Sequence, residues 1–219
     1  MAFEEKRVLL HLEDGRTLAA PIAWVGPVVA AMDETERAGW VRTDNGTGVS
    51  WPLAGQVSSD GVLDVWALEE DGLYEDALSE LKAAEWDVPA LSTRSRSLVA
   101  LWRLVSDGYN GGLMQVLGNW GVDGILAALT ALATVDAVRT LAVVRDFWQI
   151  TGPIAECEDV KSIDDVWVAL NEAGQSSRLR ELDEAFWDAA PELTRLVPLH
   201  FGPAPSVIRH QRNSIGCGD

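Results

Sequence analysis

The sequence predicts an α+β fold: a small antiparallel β-sheet domain at the N-terminus, followed by an all-α helical domain. Two observations carry this prediction. Before about residue 66, short apolar runs flank Asp-Gly and Asn-Gly pairs, which are the strongest local signal for β-hairpins. Beyond residue 91, apolar residues instead recur at the i, i+3, i+4, i+7 spacing of buried helix faces. The predicted parts are a β-rich domain at 1–70, an acidic bridging helix at 71–90, a helical domain at 91–200 and a flexible tail at 201–219.

Two hairpins are expected in the N-terminal domain. The first turns at Asp14-Gly15, because a two-residue type I′ turn needs positive φ at both positions. The second turns at Asn45-Gly46, with one or two short helices between the hairpins, at 28–31 or 34–40. Pro21 restricts its strand to an edge or an end. The predicted strands are 7–13, 16–22, 41–44, 48–51 and one formed by Val57 with 62–66.

Residues 71–87 predict an acidic amphipathic helix, because six acidic side chains accompany one lysine while Leu73, Ala77 and Leu81 keep helical spacing. Pro89 closes it. Each later helix is predicted from its buried face. These faces are Leu98, Leu101, Trp102 and Val105; Ile125, Leu126, Leu129 and Leu132; Ala137, Leu141, Val144 and Trp148; Ile163, Val166, Trp167 and Leu170; and Leu179, Leu182, Phe186 and Ala190.

The boundaries of these helices are indicated by capping residues and breakers. Gly152-Pro153 is expected to break the chain. Ser162 with Asp165 three residues later forms a carboxylate variant of the capping box. Gly174 ends the helix that follows, and Pro191 ends, kinks or restarts the last long one.

The stretch Tyr109–Gly121 predicts a sharp corner between two apolar helices. Its turn is Asn110-Gly111-Gly112, and glycine tolerates the positive φ that helix ends and tight turns need. Gln115 and Asn119 are the polar residues of the short helix that follows. Their spacing of four is that of a polar site or, more often, of hydrogen bonding at a helix end.

The net charge of −17 argues against nucleic acid or an anionic membrane as a direct partner, because both are repelled. It permits a basic protein as the partner, and an acidic surface that only confers solubility is the alternative. Cys157 and Cys217 have no Cys-x-x-Cys spacing, and the N-terminus lacks the apolar region of a secretion signal. These features predict reduced thiols and a cytoplasmic protein.

No catalytic, cofactor or metal motif is found in the sequence. His11, His200 and His210 share no ligand spacing, and the hydrolase, phosphate-loop and calcium-loop patterns are all lacking. The acidic group at 156–159 is better explained as a solvated loop than as a metal site. The sequence therefore predicts a protein that is not an enzyme and binds no cofactor.

The acidic side chains are unevenly distributed. Residues 151–199 hold eleven acidic and four basic side chains, whereas residues 91–150 hold four and five. On the last long helix, carboxylates recur at i, i+3 and i+7, about 4.5–6 Å apart along the axis at 1.5 Å per residue. One DNA strand carries a charge about every 3.4 Å. The predicted partner-binding residues are Glu181, Glu184, Asp188, Asp164, Asp165, Glu75, Asp76 and Glu80.

The Asn-Gly-Gly corner followed by Gln115 and Asn119 resembles the signature of the DNA-mimic protein 19-like family (domain of unknown function 4375), over about residues 95–200. That family usually has an aromatic residue after the two glycines, where this chain has Leu113. The resemblance implies a helical domain. A studied member is a dimer that occupies the DNA-binding surface of a transcription factor, so the resemblance also implies a basic DNA-binding partner and a homodimer.

The N-terminal part, about residues 6–66, resembles the domain-of-unknown-function 2442 family. That family usually shows acidic residues after its Trp-Pro pair, where this chain has Ala54, Gly55 and Gln56. The resemblance rests on turns and aromatic residues: Asp14-Gly15-Arg16, Pro21, Trp24, Glu34–Arg37, Trp51-Pro52 and Gly61-Val62-Leu63.

Together, the charge and the first resemblance favour an acidic, non-catalytic binding protein that mimics DNA on the basic surface of a DNA-binding protein. Two alternatives from other classes stay open. One is an immunity or antitoxin-like protein that neutralises a basic toxin such as a nuclease. The other is a scaffold or unrecognised enzyme whose acidity is incidental.

Overall fold

The computed structural model describes residues 1–4, 6–13, 15–43, 46–52, 61–203 and 208–209. The chain folds into two compact units. The N-terminal unit runs from Met1 to Leu73 and includes the segment after Gly202, and the helical unit is Tyr74–Gly202. The predicted α+β class is confirmed, since a small antiparallel sheet region precedes the helices. The division into domains and a bridging helix stays a prediction.

The described strands form two antiparallel sheets where the sequence predicted one. The first has the order β1-β2-β3-β7 and the second β4-β5-β6. Strand β7 lies in the segment predicted as a tail and pairs with β3; His210 and Cys217 lie outside the described residues. The strands are β1 Ala2–Glu4, β2 Arg7–His11, β3 Thr17–Pro21, β4 Val41–Arg42, β5 Gly48–Ser50, β6 Val62–Asp64 and β7 Ile208–Arg209.

The first hairpin has a longer loop than predicted. The backbone N–H of Leu12 donates to the carbonyl of Arg16 at 2.9 Å, and that of Gly15 donates to the carbonyl of Leu12 at 3.1 Å. Gly15 has φ +86°. This is the three-residue arrangement, in which a turn is followed by a left-handed glycine, and the two-residue prediction was wrong. Asp14 itself lies outside the described residues.

The second hairpin joins β4 to β5 as expected, closed by the N–H of Thr43 donating to the carbonyl of Gly48 at 3.0 Å. Asn45, Val57 and the segment with Ala54, Gly55 and Gln56 lie outside the described residues. The short helices between the hairpins are α1 Pro27–Ala31 and α2 Glu34–Arg37, after a 3₁₀ turn at Ile22–Val25.

Helix α3 spans Val65–Ala83 and therefore begins six residues before the predicted start at 71. Asp64 explains the early start, because its Oδ1 accepts the backbone N–H of Trp66 at 2.8 Å and so caps the helix. Glu69 follows on α3 and is buried, where it forms an ion pair with Arg16 at 2.6 Å. This pair ties the start of α3 to the first hairpin.

The helical unit consists of six helices after α3, with 3₁₀ turns at Val88–Ala90 and Ala190–Glu192. The predicted capping box is confirmed, since Ser162 and Asp165 exchange hydrogen bonds with each other's backbone N–H groups. The helices are α4 Thr93–Gly111, α5 Leu113–Thr134, α6 Val138–Ala155, α7 Ile163–Glu172, α8 Ser176–Ala189 and α9 Leu193–Phe201.

Three local predictions in this unit were wrong. Leu126 was placed on a buried face but is 40% exposed, because it lies about 100° around the α5 axis from the buried Ile125. Pro153 lies inside α6 and does not break the chain, because a proline removes one backbone donor while the next turn still bonds, with the N–H of Glu156 donating to the carbonyl of Gly152 at 2.9 Å. Trp167 was placed on the buried face of α7 but is 39% exposed. Val166 and Leu170 alone bury that face, because α7 is short and covers little of the core.

Helix α5 is long and apolar enough to cross a membrane by length and composition. Its backbone is interrupted at Gly121 (φ +65°, ψ −169°), which leaves two straight segments of 8 and 13 residues. A membrane-spanning helix needs about 20 residues. Ile125, Ala128 and Leu132 are buried within the unit. Part of the apolar surface of α5 is therefore covered within the helical unit.

Helix α3 ends in a cap whose backbone is strained at Glu85. The N–H of Trp86 donates to the carbonyl of Leu81 and that of Glu85 to Lys82, so Glu85 holds the left-handed position of a Schellman motif at φ +51°. Glu85→Gly should raise the free energy of unfolding by about 0.5–1 kcal/mol, because glycine adopts this conformation without a Cβ penalty.

Asp136 is the matched control, since it holds the same position after α5 at φ +58°. Aspartate tolerates this region better than glutamate, so Asp136→Gly should gain less. Urea unfolding of both variants measures the difference. A loss of stability in Glu85→Gly would show that the side chain of Glu85 stabilises the cap by more than its backbone conformation costs.

Candidate protein-binding surface

The corner between α4 and α5 is held by a carboxylate from α8. The backbone N–H of Leu113, the first residue of α5, donates to Oδ1 of Asp183 at 2.8 Å. Gly112 has φ +79° and ψ 179°, a region that is essentially restricted to glycine. A Cβ at Gly112 would also lie 2.6 Å from Asp183 Oδ2. Backbone conformation and the close carboxylate both require glycine here.

Gln115 and Asn119 bind a side chain of the preceding helix. Asp107 of α4 accepts hydrogen bonds from Gln115 Nε2 at 3.2 Å, Asn119 Nδ2 at 3.1 Å and Trp120 Nε1 at 2.5 Å. The helix-end hydrogen bonds expected for the two amides are therefore not their role. The amides clamp the two helices on either side of the corner. Asn110 is exposed and, like Gly111, belongs to the last turn of α4, so the prediction of a three-residue turn was wrong and Gly112 alone leaves the helix.

Asp107 also faces a cation. The guanidinium carbon of Arg103 lies 3.8 Å from the centroid of the Trp120 ring, whose Nε1 binds Asp107. Burial lowers the pKa of the Arg103 guanidinium below its ordinary value, and the charge of Asp107 acts in the opposite direction. A guanidinium, an indole and a carboxylate thus form one cluster, which we call the Arg-Trp-Asp cluster.

Close packing at Gly108 joins α4 to α8. A Cβ at Gly108 would lie 2.4 Å from Cε1 of Phe186, so the aromatic ring rests on the glycine backbone. Trp187 Nε1 donates to the carbonyl of Gly108 at 2.9 Å, and the rings of Tyr109 and Phe186 are 5.9 Å apart. Helix α8 is therefore fixed against α4 along its inner side.

The opposite side of α8 carries the three predicted carboxylates, all exposed. Glu181 pairs with Arg178 at 3.1 Å, and Arg178 also reaches Asp146 of α6 at 3.4 Å. Asp188 pairs with Arg139 of α6 at 2.5 Å. Their use in binding stays a prediction, as it does for Glu184.

The two predicted acids of α7 have different surroundings. Asp165 accepts the backbone N–H groups of Lys161 and Ser162, each at 2.9 Å, and the hydroxyl of Ser162. The hydrogen bond from the Lys161 backbone is the largest cause that lowers the pKa of Asp165, followed by the bond from the Ser162 hydroxyl. Asp165 therefore serves the cap, whereas Asp164 is exposed to solvent.

The acids predicted on α3 are similarly divided. Glu80 accepts a hydrogen bond from the hydroxyl of Ser95 at 2.5 Å, which links α3 to the first turn of α4. Glu75 is exposed and Asp76 is half-buried. Partner binding by these residues also stays a prediction.

Sequence reasoning missed the acids that hold the helical unit together. Asp183 caps α5, and Glu192 Oε1 accepts the N–H of Thr140 at 2.8 Å and its hydroxyl at 2.9 Å near the start of α6. For Asp107 a signal existed, because it is the sole acidic residue between Asp87 and Asp123. No local pattern in the sequence indicated the role of Asp183, because it lies 70 residues from Leu113.

Metal ligation finds no support in the described residues, where no group of three or more His, Cys, Asp or Glu side chains is arranged to hold an ion. Cys157 is a free, exposed thiol within the acidic segment 156–159. The geometry of the helical unit thus offers surface carboxylates and aromatic rings for binding, set on helices fixed from within.

Gly112 and Gly121 have similar φ and ψ angles, so substitutions at the two positions distinguish the cost of backbone strain from the cost of a steric clash. Gly121 matches Gly112 in φ and ψ, but a Cβ at Gly121 would meet nothing within 4 Å. We expect Gly121→Ala to lower the free energy of unfolding by about 1–3 kcal/mol from backbone strain. Gly112→Ala should cost a further 1–3 kcal/mol, roughly, because it also displaces Asp183. Equal losses in thermal unfolding would show that the contact with Asp183 is unimportant.

The cap on α5 also predicts a pH dependence. Burial raises the pKa of the Asp183 carboxyl, and the hydrogen bond from Leu113 partly offsets it. A group whose pKa is raised on folding stabilises the protein below its unfolded pKa, and that stability is lost as pH rises through the folded pKa. Asp183→Asn keeps an acceptor but cannot ionise, so its stability relative to the wild type should rise with pH across this range.

The control for this prediction is Asp183→Ala, which removes the acceptor. It should lower the free energy of unfolding by about 1–2 kcal/mol at neutral pH, as expected for a lost helix cap. Urea unfolding at several pH values measures both variants. If Asn and Ala have the same effect at every pH, the cap on Leu113 contributes nothing measurable.

The helices on both sides of the corner match a family of known proteins. The family model described as DMP19-like protein matches residues 89–200, which is more than half of the chain. Searches of curated proteins and of solved structures gave no match. The resemblance over residues 6–66 stays a prediction. The match over α4 to α9, which contains the Asn-Gly-Gly corner, shows that the chain belongs to the DMP19-like protein family.

Proposed function

We propose that this protein is an acidic, non-catalytic binding protein that mimics DNA on the basic surface of a DNA-binding protein. The observation that carries the proposal is the outer side of α8, where Glu181, Glu184 and Asp188 are exposed one turn apart. Membership of the family supports it. The carboxylates follow each other at about 4.5–6 Å along the axis, sparser than the phosphates of one DNA strand at about 3.4 Å but of the same charge.

The ion pairs on this face do not cancel its charge. Arg178 and Arg139 are exposed, with side-chain accessibilities of 47% and 57%. Exposed pairs contribute about 0–1 kcal/mol, so arginine or lysine side chains of a partner compete with them at little cost. The face therefore attracts a basic surface although two of its three carboxylates are paired in the isolated chain.

The DMP19-like family is not a known enzyme family, which supports a role in binding and not in catalysis. The proposal places the protein in the cytoplasm, together with the DNA-binding proteins of its host. The exposed thiol of Cys157 agrees with a reducing compartment.

The test replaces Glu181, Glu184 and Asp188 together by Gln, Gln and Asn. Immobilised wild-type protein captures host proteins from lysate, duplex DNA elutes them, and the affinity of each eluted protein is then measured at several salt concentrations. We expect the triple variant to bind about tenfold more weakly, mainly through a slower association rate, because three charge pairs are lost. Binding by the wild type should weaken steeply with salt, since the Debye length falls from about 10 Å at 0.1 M to about 3 Å at 1 M.

A matched control changes the same number of charges elsewhere. Glu156, Glu158 and Asp159 are exposed in the loop after α6, and their replacement by Gln, Gln and Asn should leave affinity nearly unchanged. Equal weakening by both triple variants would mean that net charge acts and not the α8 face. A partner that DNA does not displace, and that binds both variants like the wild type, contradicts the mimic; if that partner is a toxin, the immunity role replaces it.

A further inference from the structure

Three tryptophans of the helical unit are exposed next to carboxylates. Trp167 is 39% exposed, Trp187 45% and Trp86 64%. Asp164 precedes Trp167 by three residues on α7, and Glu184 precedes Trp187 by three on α8. Residues at i and i+3 are neighbours on a helix surface. Two exposed indoles therefore each have an exposed carboxylate beside them.

The indole of Trp187 is exposed and also fixed in position. Trp187 is held in place by its Nε1, which donates to the carbonyl of Gly108 at 2.9 Å while nearly half of the side chain stays in solvent. A fixed, exposed ring loses little conformational freedom when a partner binds it, which is why tryptophan is enriched among the residues that dominate binding energies. DNA mimicry by charge alone does not require such rings.

The chain contains one internal contact in which a guanidinium stacks on an indole close to a carboxylate. In the Arg-Trp-Asp cluster, Arg103 stacks on Trp120 at 3.8 Å, and the carboxylate of Asp107 binds the indole Nε1. Trp167 with Asp164 and Trp187 with Glu184 each present an indole and a carboxylate. Helix α7 has no basic residue along its whole length. A guanidinium has the chemistry to stack on the indole and to bind the carboxylate of each pair.

We propose that Trp167 with Asp164 and Trp187 with Glu184 receive arginine side chains of the basic partner. The inference rests on the proposed function and names the chemistry that the partner must bring. A guanidinium is planar and weakly hydrated, so it stacks on an indole while its N–H groups remain available to a carboxylate. The ammonium of lysine is compact and strongly hydrated, and pure charge attraction does not distinguish it from arginine.

The experiment uses two synthetic peptides of equal length and charge, one alternating Arg with Gly and the other Lys with Gly. Calorimetric titration of the full chain at fixed ionic strength should give a several-fold tighter affinity for the arginine peptide. In the double variant Trp167→Leu/Trp187→Leu this preference should fall at least threefold while the affinity for the lysine peptide is unchanged. The double Phe variant should keep most of the preference, because a phenyl ring still binds a cation by its face.

If loss of the Trp187 bond to Gly108 disturbs folding of the double variant, the single variant Trp167→Leu is measured instead. It should lose about half of the preference for the arginine peptide over the lysine peptide, on a logarithmic scale. An unchanged ratio of arginine to lysine affinity in the Leu variants overturns the inference, as does failure of both peptides to bind. The proposed function fails on a different result, namely a partner that DNA does not displace and that binds both triple variants like the wild type. Leu variants that keep the preference and still compete with DNA would leave the mimic standing without this chemistry.

Discussion

The helical unit depends on one carboxylate at the start of α5. The first N–H groups of a helix lack partners within the helix, and a capping side chain usually provides one. The residue before α5 is Gly112, which has no side chain, so the acceptor comes from Asp183 on α8. The first turn of α5 therefore has this cap only when α8 is in place. The amides of Gln115 and Asn119 fix the other side of the corner through Asp107.

The acidic side chains fall into two groups, and the proposed function uses only one of them. Asp107, Asp165, Asp183 and Glu192 accept hydrogen bonds that hold helices or helix ends. Their charge is used within the fold. Glu184 and Asp164 project into solvent beside tryptophans instead. Net charge therefore overstates the charge that the fold leaves exposed, and composition does not distinguish an acid that caps a helix from one that faces solvent. The distinction comes from which acids the fold already uses.

Local signals predicted the parts of the fold that are decided locally. The α+β order, the Ser162–Asp165 cap and the buried face Leu179, Leu182 and Phe186 follow from patterns within a few residues. The loop at Gly15 and the helix through Pro153 were mispredicted, since each motif has two local solutions that flanking structure selects. At the site, the glycine corner was predictable. Asp183 was not, because a contact across 70 residues leaves no periodic trace in one sequence.

In the proposed binding mode, charge and aromatic rings have different roles. Carboxylates act at a distance and set how often a basic surface arrives, but every basic protein feels the same attraction. Discrimination has to come from contacts made after arrival, which change mainly the dissociation rate. Phosphates of DNA offer no ring at that position, whereas Trp167 and Trp187 stand exposed one turn from a carboxylate, and Trp187 is fixed by its bond to Gly108. In the proposed binding mode the corner matters for this reason: its contacts hold Trp187 and the carboxylates of α8 in one arrangement before a partner is met.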